Sequence, residues 1–166
     1  MKITNGEKRF EAIFKGAAVG IFLVDSVGNF FEINDAFCEI IGYTEDELKG
    51  MCCNEISYSA DKHLHLEFFE KLSRGEVENY YLEKRFVRKD TNLIWVRLTF
   101  SAVRSKNGDF LYSVAVVENI TPQKEAETEL ENVLSNIILD WDIGDTERET
   151  DRKRLRIMTS NMQMQG

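Results

Sequence analysis

Two histidines (His63, His65), three cysteines (Cys38, Cys52, Cys53) and the carboxylate run Glu45-Asp46-Glu47 are the side chains here with the most obvious chemical potential. An imidazole can hold a metal through one ring nitrogen, an ionised thiol is a nucleophile, and paired carboxylates can divide acid and base roles. Their spacing supports none of these as catalysis. The carboxylates follow Thr44, with Glu47 three residues on, the pattern of a helix start where the dipole favours negative charge. The cysteines form an odd set without a disulfide framework and read as small buried or half-buried thiols. No glycine-rich phosphate loop is present, nor the Gly-Gly-acid-Glu-Phe run of a nucleotide cyclase. Both histidines lie far upstream of the C-terminal helical segment, where a histidine kinase would carry its phosphoacceptor. The expectation is a chain without catalytic residues or a metal site, not an enzyme.

Composition narrows the classes further. A formal net charge of -8 removes the electrostatic footprint of nucleic-acid binding and weakens docking on anionic lipid. No apolar run approaches the roughly 20 residues of a membrane helix, and the opening MKITNGEKRFEAIF lacks a signal-peptide core. A cytoplasmic protein is expected, with no membrane contact by this chain.

The elements that must position any site follow from periodicity. Phe10, Ile13 and Phe14 mark a short amphipathic helix over Glu7 to Lys15. AVGIFLVD (18–25) and FFEIN (30–34) predict a hairpin about Gly28, and two short helices follow, breaking at Gly42 and restarting at Thr44. A turn near Asn54 to Ser57 precedes a longer helix from about Asp61 to Ser73, closed by Gly75. Three strands rich in β-branched and aromatic residues come next, joined by turns at 89–91 and at Ser105-Lys106-Asn107-Gly108-Asp109. Beyond Pro122 the pattern is helical, with Ala126, Leu130, Val133 and Ile137 as a short heptad seam. The order predicts an α+β fold, an antiparallel sheet covered on one face by short helices. Strand alternation puts Leu82, Phe86, Val96, Leu98, Phe100, Leu111, Ala115 and Val117 on the inward face, with Phe37 and Ile41 facing them from the helices. That lining is apolar, suited to a side-chain-filled core or to a small apolar or amphipathic ligand. Trp95, Tyr112, Val114 and Val116 fall on the outer face, an apolar area for a homodimer to cover with Phe10 and Phe14.

IFLVDSVGNFFEINDAFCEIIGYTEDELKG, LEKRFVRKD and IWVRLTFSAVRSKNGDFLYSVAVVENITPQKEAE, in that order, resemble a PAS domain of the sensory-box type of bacterial signalling proteins, from about Phe10 to Glu127. The resemblance implies the PAS fold: a five-stranded antiparallel sheet, short helices over one face, and a C-terminal exit helix leading to an output domain or partner signalling protein. It divides the chain into a flanking helix (1–16), a sensor domain (17–121), an exit helix (122–141) and a charged polar tail (142–166) expected to be disordered. Asn119, Ile120, Thr121, Pro122 and Leu130 become the signal-transfer residues. Pro122 suits a first helical turn and Thr121 its N-cap. Asn119 stands where the family usually has aspartate. The 89–91 turn departs from the family's Asp-Gly, and Asn92 is the residue expected to take positive φ there.

The same resemblance raises two cofactors. Light-sensing PAS proteins use a cysteine at the position of Cys53, but their flavin-binding amides correspond to Phe86, Val96 and Val117, which disfavours flavin. Haem-binding PAS sensors use an axial histidine at the position of His65, yet their oxygen-binding arginine corresponds to Leu82. The leading expectation is a sensory and dimerisation module without a cofactor. A haem-linked gas or redox sensor using His65 and a ligand-free structural dimerisation domain are the alternatives.

Overall fold

The computed structural model describes residues 4–141; the charged tail expected to be disordered (142–166) lies outside the described residues. Elements follow in the order α1 (Asn5–Gly16), β1 (Gly20–Val24), β2 (Phe30–Ile33), α2 (Asp35–Ile41), α3 (Glu45–Leu48), a 3-10 turn (Ser59–Asp61), α4 (Lys62–Arg74), β3 (Asn79–Val87), β4 (Leu93–Arg104) and β5 (Phe110–Asn119). A last helix, α5, covers residues 121–141. The five strands form one antiparallel sheet, as the resemblance implies, in the order β2-β1-β5-β4-β3. The chain divides into two compact units, with the sheet and α1–α4 in the first and residues 123–141 of α5 in the second.

The short helices exist because their ends are satisfied locally. Thr44 and Glu47 form a capping box at α3, and Thr4 and Glu7 form another at α1. Gly42 and Gly75 close α2 and α4 in the left-handed conformation. Asn34 caps α2 and does more. Its Oδ1 accepts the Phe37 and Ile21 N–H groups at 3.0 and 2.8 Å, and its Nδ2 donates to the Phe14 and Val19 carbonyls at 3.0 Å each. One buried amide thus ties α1, β1 and α2 together.

The three hairpin turns share one hydrogen-bond pattern. In Asp25–Asn29, Arg88–Asn92 and Ser105–Asp109 the first residue's N–H donates to the fifth residue's carbonyl, and the fourth residue's N–H donates back to the first. The fourth residue has positive φ in each: Gly28, Thr91 and Gly108. Thr91, not Asn92, therefore takes the left-handed position, at φ 71°. The hydrogen-bond pattern selects the position, and the shorter polar side chain one residue later does not override it.

The expected place of Leu111 on the inner face also needs correction. Arg104 pairs with Phe110 and Val103 with Tyr112, so Leu111 is the extra residue of a β-bulge and is 51% exposed. Phe110 is the inward residue, packed on the core beside Phe69.

Two substitutions test these local rules. A β-branched residue in the left-handed region costs about 1–2 kcal/mol, while glycine's greater unfolded freedom offsets roughly half of that. Thr91→Gly should therefore stabilise the protein by roughly 0.5–1 kcal/mol in a urea melt, and a destabilised variant would refute the strain. Asn34→Asp replaces the one amide nitrogen that donates to both the Phe14 and Val19 carbonyls by an oxygen, and should cost roughly 3 kcal/mol in the same melt.

Candidate functional site in the sheet interior

Strand alternation supplies one wall of the interior. Tyr80, Leu82, Lys84 and Phe86 of β3 point inward, as do Ile94, Val96, Leu98 and Phe100 of β4 and Ser113, Ala115 and Val117 of β5. Register aligns them in rungs: Tyr80–Phe100–Ala115, Leu82–Leu98–Val117 and Lys84–Val96–Asn119. Phe37 and Ile41 of α2 enter from the other side. Of the expected lining residues, all except Leu111 are buried in this one core. Its centre is aromatic, with Phe22 lying 4.8 Å from Phe37 and 5.9 Å from Phe100, and Phe37 6.4 Å from Phe86.

One end is not apolar. Lys84 is 1% exposed, and its ammonium donates to Ser57 Oγ at 2.8 Å while lying 5.1 Å from the Phe86 ring centre. Ser57 in turn donates to the Cys53 carbonyl at 3.3 Å. The Cys53 thiol lies 3.7 Å from His65 Nε2, and the Tyr80 hydroxyl lies 3.1 Å from His65 Nδ1. Either neutral tautomer of His65 satisfies both contacts, one nitrogen donating and the other accepting. Beside this chain, Asp61 is fully engaged by Arg85, accepting from its backbone N–H, Nε and Nη2 at 2.9, 2.9 and 2.7 Å.

Burial sets the protonation states. It lowers the His65 pKa to about 3, the Lys84 charge adding to the effect. It pushes the Cys53 thiol up to about 12 against the pull of Lys84, and raises the Tyr80 phenol above its usual range. It brings Lys84 down from 10.5 to about 8. At neutral pH Lys84 remains mostly ammonium, while the imidazole, thiol and phenol around it are neutral.

Neither cofactor raised by the sequence fits these residues. A flavin's polar edge would meet Phe86, Val96 and Val117, all fully buried among apolar neighbours, and Cys53 is turned toward His65. For haem, His65 would have to give up Tyr80 or Cys53 on one nitrogen, and its ring is hemmed by Phe100 at 5.0 Å and Phe69 at 5.3 Å. His65 lies on the long helix as the sequence pattern predicts, and its ring is buried. Lys84 is not among the expected lining residues, although the alternation of β3 puts it between Leu82 and Phe86, two inward residues already named.

At the exit of the sheet, Ile120 is buried and its N–H donates to the Trp95 carbonyl at 2.9 Å. The helix starts at Thr121, one residue earlier than expected. The Thr121 hydroxyl accepts the Trp95 N–H at 2.9 Å instead of capping the helix. Asn119 Oδ1 accepts the Thr121 N–H at 3.1 Å, a role that an aspartate oxygen would serve equally.

The family model described as PAS domain matches residues 18–122. A probable diguanylate cyclase from Escherichia coli is 30% identical over 142 residues, which are 86% of this chain and 13% of that protein. A sensor histidine kinase from Ectopseudomonas mendocina is 22% identical over 136 residues, 82% of this chain and 14% of that protein. The chain thus spans about a seventh of the length of these relatives. Among solved structures, the PAS domain of a protein from Colwellia psychrerythraea superposes with a TM-score of 0.64 at 18% identity, covering 69% of this chain and 97% of that one.

The buried imidazole gives a direct test of the cluster. Because the folded pKa of about 3 lies below the unfolded value of 6.5, the unfolded chain takes up a proton that the folded chain refuses. The stability this preserves is full above pH 6.5 and is lost as pH falls toward about 3. Nitrogen-15 spectra of the His65 ring should stay those of a neutral imidazole at pH 5, where a free imidazole is mostly charged. A His65 ring titrating near its unperturbed value would contradict the buried arrangement.

Proposed function

The chain belongs to the PAS domain family, and on that premise we propose that it is the sensory and dimerising module of a signalling protein, passing the state of its interior to its C-terminal helix. The observation that carries this reading is the rung Lys84–Val96–Asn119, in which the polar end of the interior and the first junction residue share one row of the sheet. One residue on, Ile120 and Thr121 are bonded to the Trp95 backbone. A shift of β4 or β5 in response to the interior would move the start of α5 directly, the kind of two-state bias by which a small event at one site alters another.

In this reading the sensor occupies 17–121, and 122–141 is the transmitter to an output domain or partner protein. The names of the cyclase and kinase relatives support an output of that class. No resident cofactor is needed. Cys38, Cys52 and Cys53 are free thiols, which suits a reducing compartment, and we assign the chain to the cytoplasm on that ground. Among the described residues no helix is long and apolar enough to cross a membrane.

A homodimer would cover the apolar surface that one chain leaves open. On α1, Phe10 and Ile13 are 55% and 66% exposed, and Phe10 stacks on the buried Phe14 at 5.3 Å. On the outer sheet face, Val116 is exposed while Trp95, Tyr112 and Val114 are half-buried. On α5, Leu130, Val133, Leu134, Ile137, Ile138 and Trp141 are all about half exposed or more. Such a stripe at helical spacing is the surface a parallel helix pair buries.

Leu130→Cys should cross-link rapidly between subunits under mild oxidation if the α5 helices pair in parallel, in a background with the native cysteines replaced. A folded dimer that fails to cross-link there would leave a binding module without a coiled-coil transmitter.

A further inference from the structure

Lys84 stands out among the buried groups of the interior. Asn34 fills all four of its hydrogen-bonding positions, and Arg85 next door has a dedicated carboxylate in Asp61. Lys84 has an ammonium with three donors, and the described residues offer it one acceptor, the Ser57 hydroxyl. Among the described residues no carboxylate lies within ion-pair distance of it. Asp61, the nearest in charge effect, already accepts three bonds from Arg85. The neighbouring thiol, imidazole and phenol are neutral and supply no counter-charge. A buried cation with this little compensation is costly to maintain, and replacing such a group by an apolar one of similar size is often neutral or stabilising. Its presence with a single acceptor and no counter-charge calls for an anion.

The walls select which anion. Beyond Ser57 the ammonium faces the Phe86 ring, and Phe86 in turn meets Phe37. An inorganic ion would require a polar shell on every side, which these rings cannot give. A carboxylate joined to a short apolar body needs polar partners at one end only. We propose that Lys84 anchors a subsite for a small monocarboxylate inside the domain, its carboxylate on Lys84 and its apolar part against Phe86. The segment between Met51 and Asp61 brings Ser57 to Lys84 and is joined to β3 through the Tyr58 N–H to Arg85 carbonyl bond and the Val87 N–H to Ile56 carbonyl bond. This rests on the reading of the interior as the sensory site, and it names the class of ligand that site takes.

The test is calorimetric titration of the 166-residue chain with sodium benzoate and sodium propionate at constant ionic strength. Benzamide and propionamide serve as neutral isosteres and sodium chloride as the inorganic control. At least one carboxylate should bind saturably, its amide should not, and Lys84→Met should weaken binding by about tenfold or more, the loss of one charge-assisted contact. Lys84→Met removes a buried charge and should keep the fold, which a thermal melt checks; Lys84→Gln is the second variant should it not. The proposal is overturned if neither carboxylate binds, if amide and carboxylate bind alike, if both folded variants bind as well as the wild type, or if chloride produces the same Lys84-dependent heat. Those outcomes leave cross-linking at Leu130 unaffected, so failure of the carboxylate subsite is distinguishable from failure of the sensory relay.

Discussion

The first half of this fold depends on one buried amide. Asn34 sits at the end of β2, where the chain must leave an edge strand and enter a helix of barely two turns. A helix of that length is marginal unless its ends and one face are fixed from outside. Asn34 fixes the end by accepting the Phe37 N–H, and aligns β1 by accepting the Ile21 N–H. Its two donors hold the carbonyls of Phe14 and Val19, which anchors α1 and the segment leading into β1. Phe37 and Ile41 reach the core because their helix begins where Asn34 makes it begin. Glutamine would overshoot these partners, and aspartate lacks the donors.

The same accounting distinguishes structural from functional polarity elsewhere. Asp61 and Arg85 form a complete pair, with the Arg85 guanidinium also lying over the Tyr58 and Trp95 rings. That pair links the turn before α4 to β3, and each of its charges faces the other. Lys84, one residue earlier on the opposite face of β3, has capacity left over. Its charge also explains its surroundings: it disfavours a second positive charge on His65 and eases, without reversing, the burial penalty on the Cys53 thiolate. Charge and burial together hold the interior at one positive group.

Much of this architecture is legible in the sequence because its strong signals are local. Strand alternation, capping boxes at Thr4 and Thr44, and the glycines at 28, 42, 75 and 108 all act within a few residues. The departures occur where a longer-range constraint overrides the local one. Leu111 leaves the inner face because the register between β4 and β5 needs a bulge there, and nothing in the β5 sequence alone marks it. Thr91 takes a glycine's conformation because the hairpin pattern is set by the strands on either side. The Thr121 hydroxyl turns to Trp95 because the sheet brings an N–H to it that a free helix start would not meet. Lys84 is legible by its position in the alternation but not by its residue type. A lysine's default place is the surface, and only the burial on both sides of it shows otherwise.

The position of Lys84 bears on how the domain could act. On β3, positions 80, 82, 84 and 86 are a single inward row, and the register carries each across β4 to β5. The rung holding Lys84 reaches Asn119, the rung whose side chain meets the first N–H of α5. The aromatic rung of Tyr80 and Phe100 lies further from the exit. A ligand packed among those rings would have to transmit through well-filled core, which resists small displacements because its contacts are already close. A group bound at Lys84 would act two strands away from the junction, along backbone hydrogen bonds that cannot shift independently. Along the sheet, the charged end of the interior is the end of the inward β3 row that shares a rung with the junction residue Asn119, so a group bound there would sit nearer the helix start than one held at Tyr80 and Phe100.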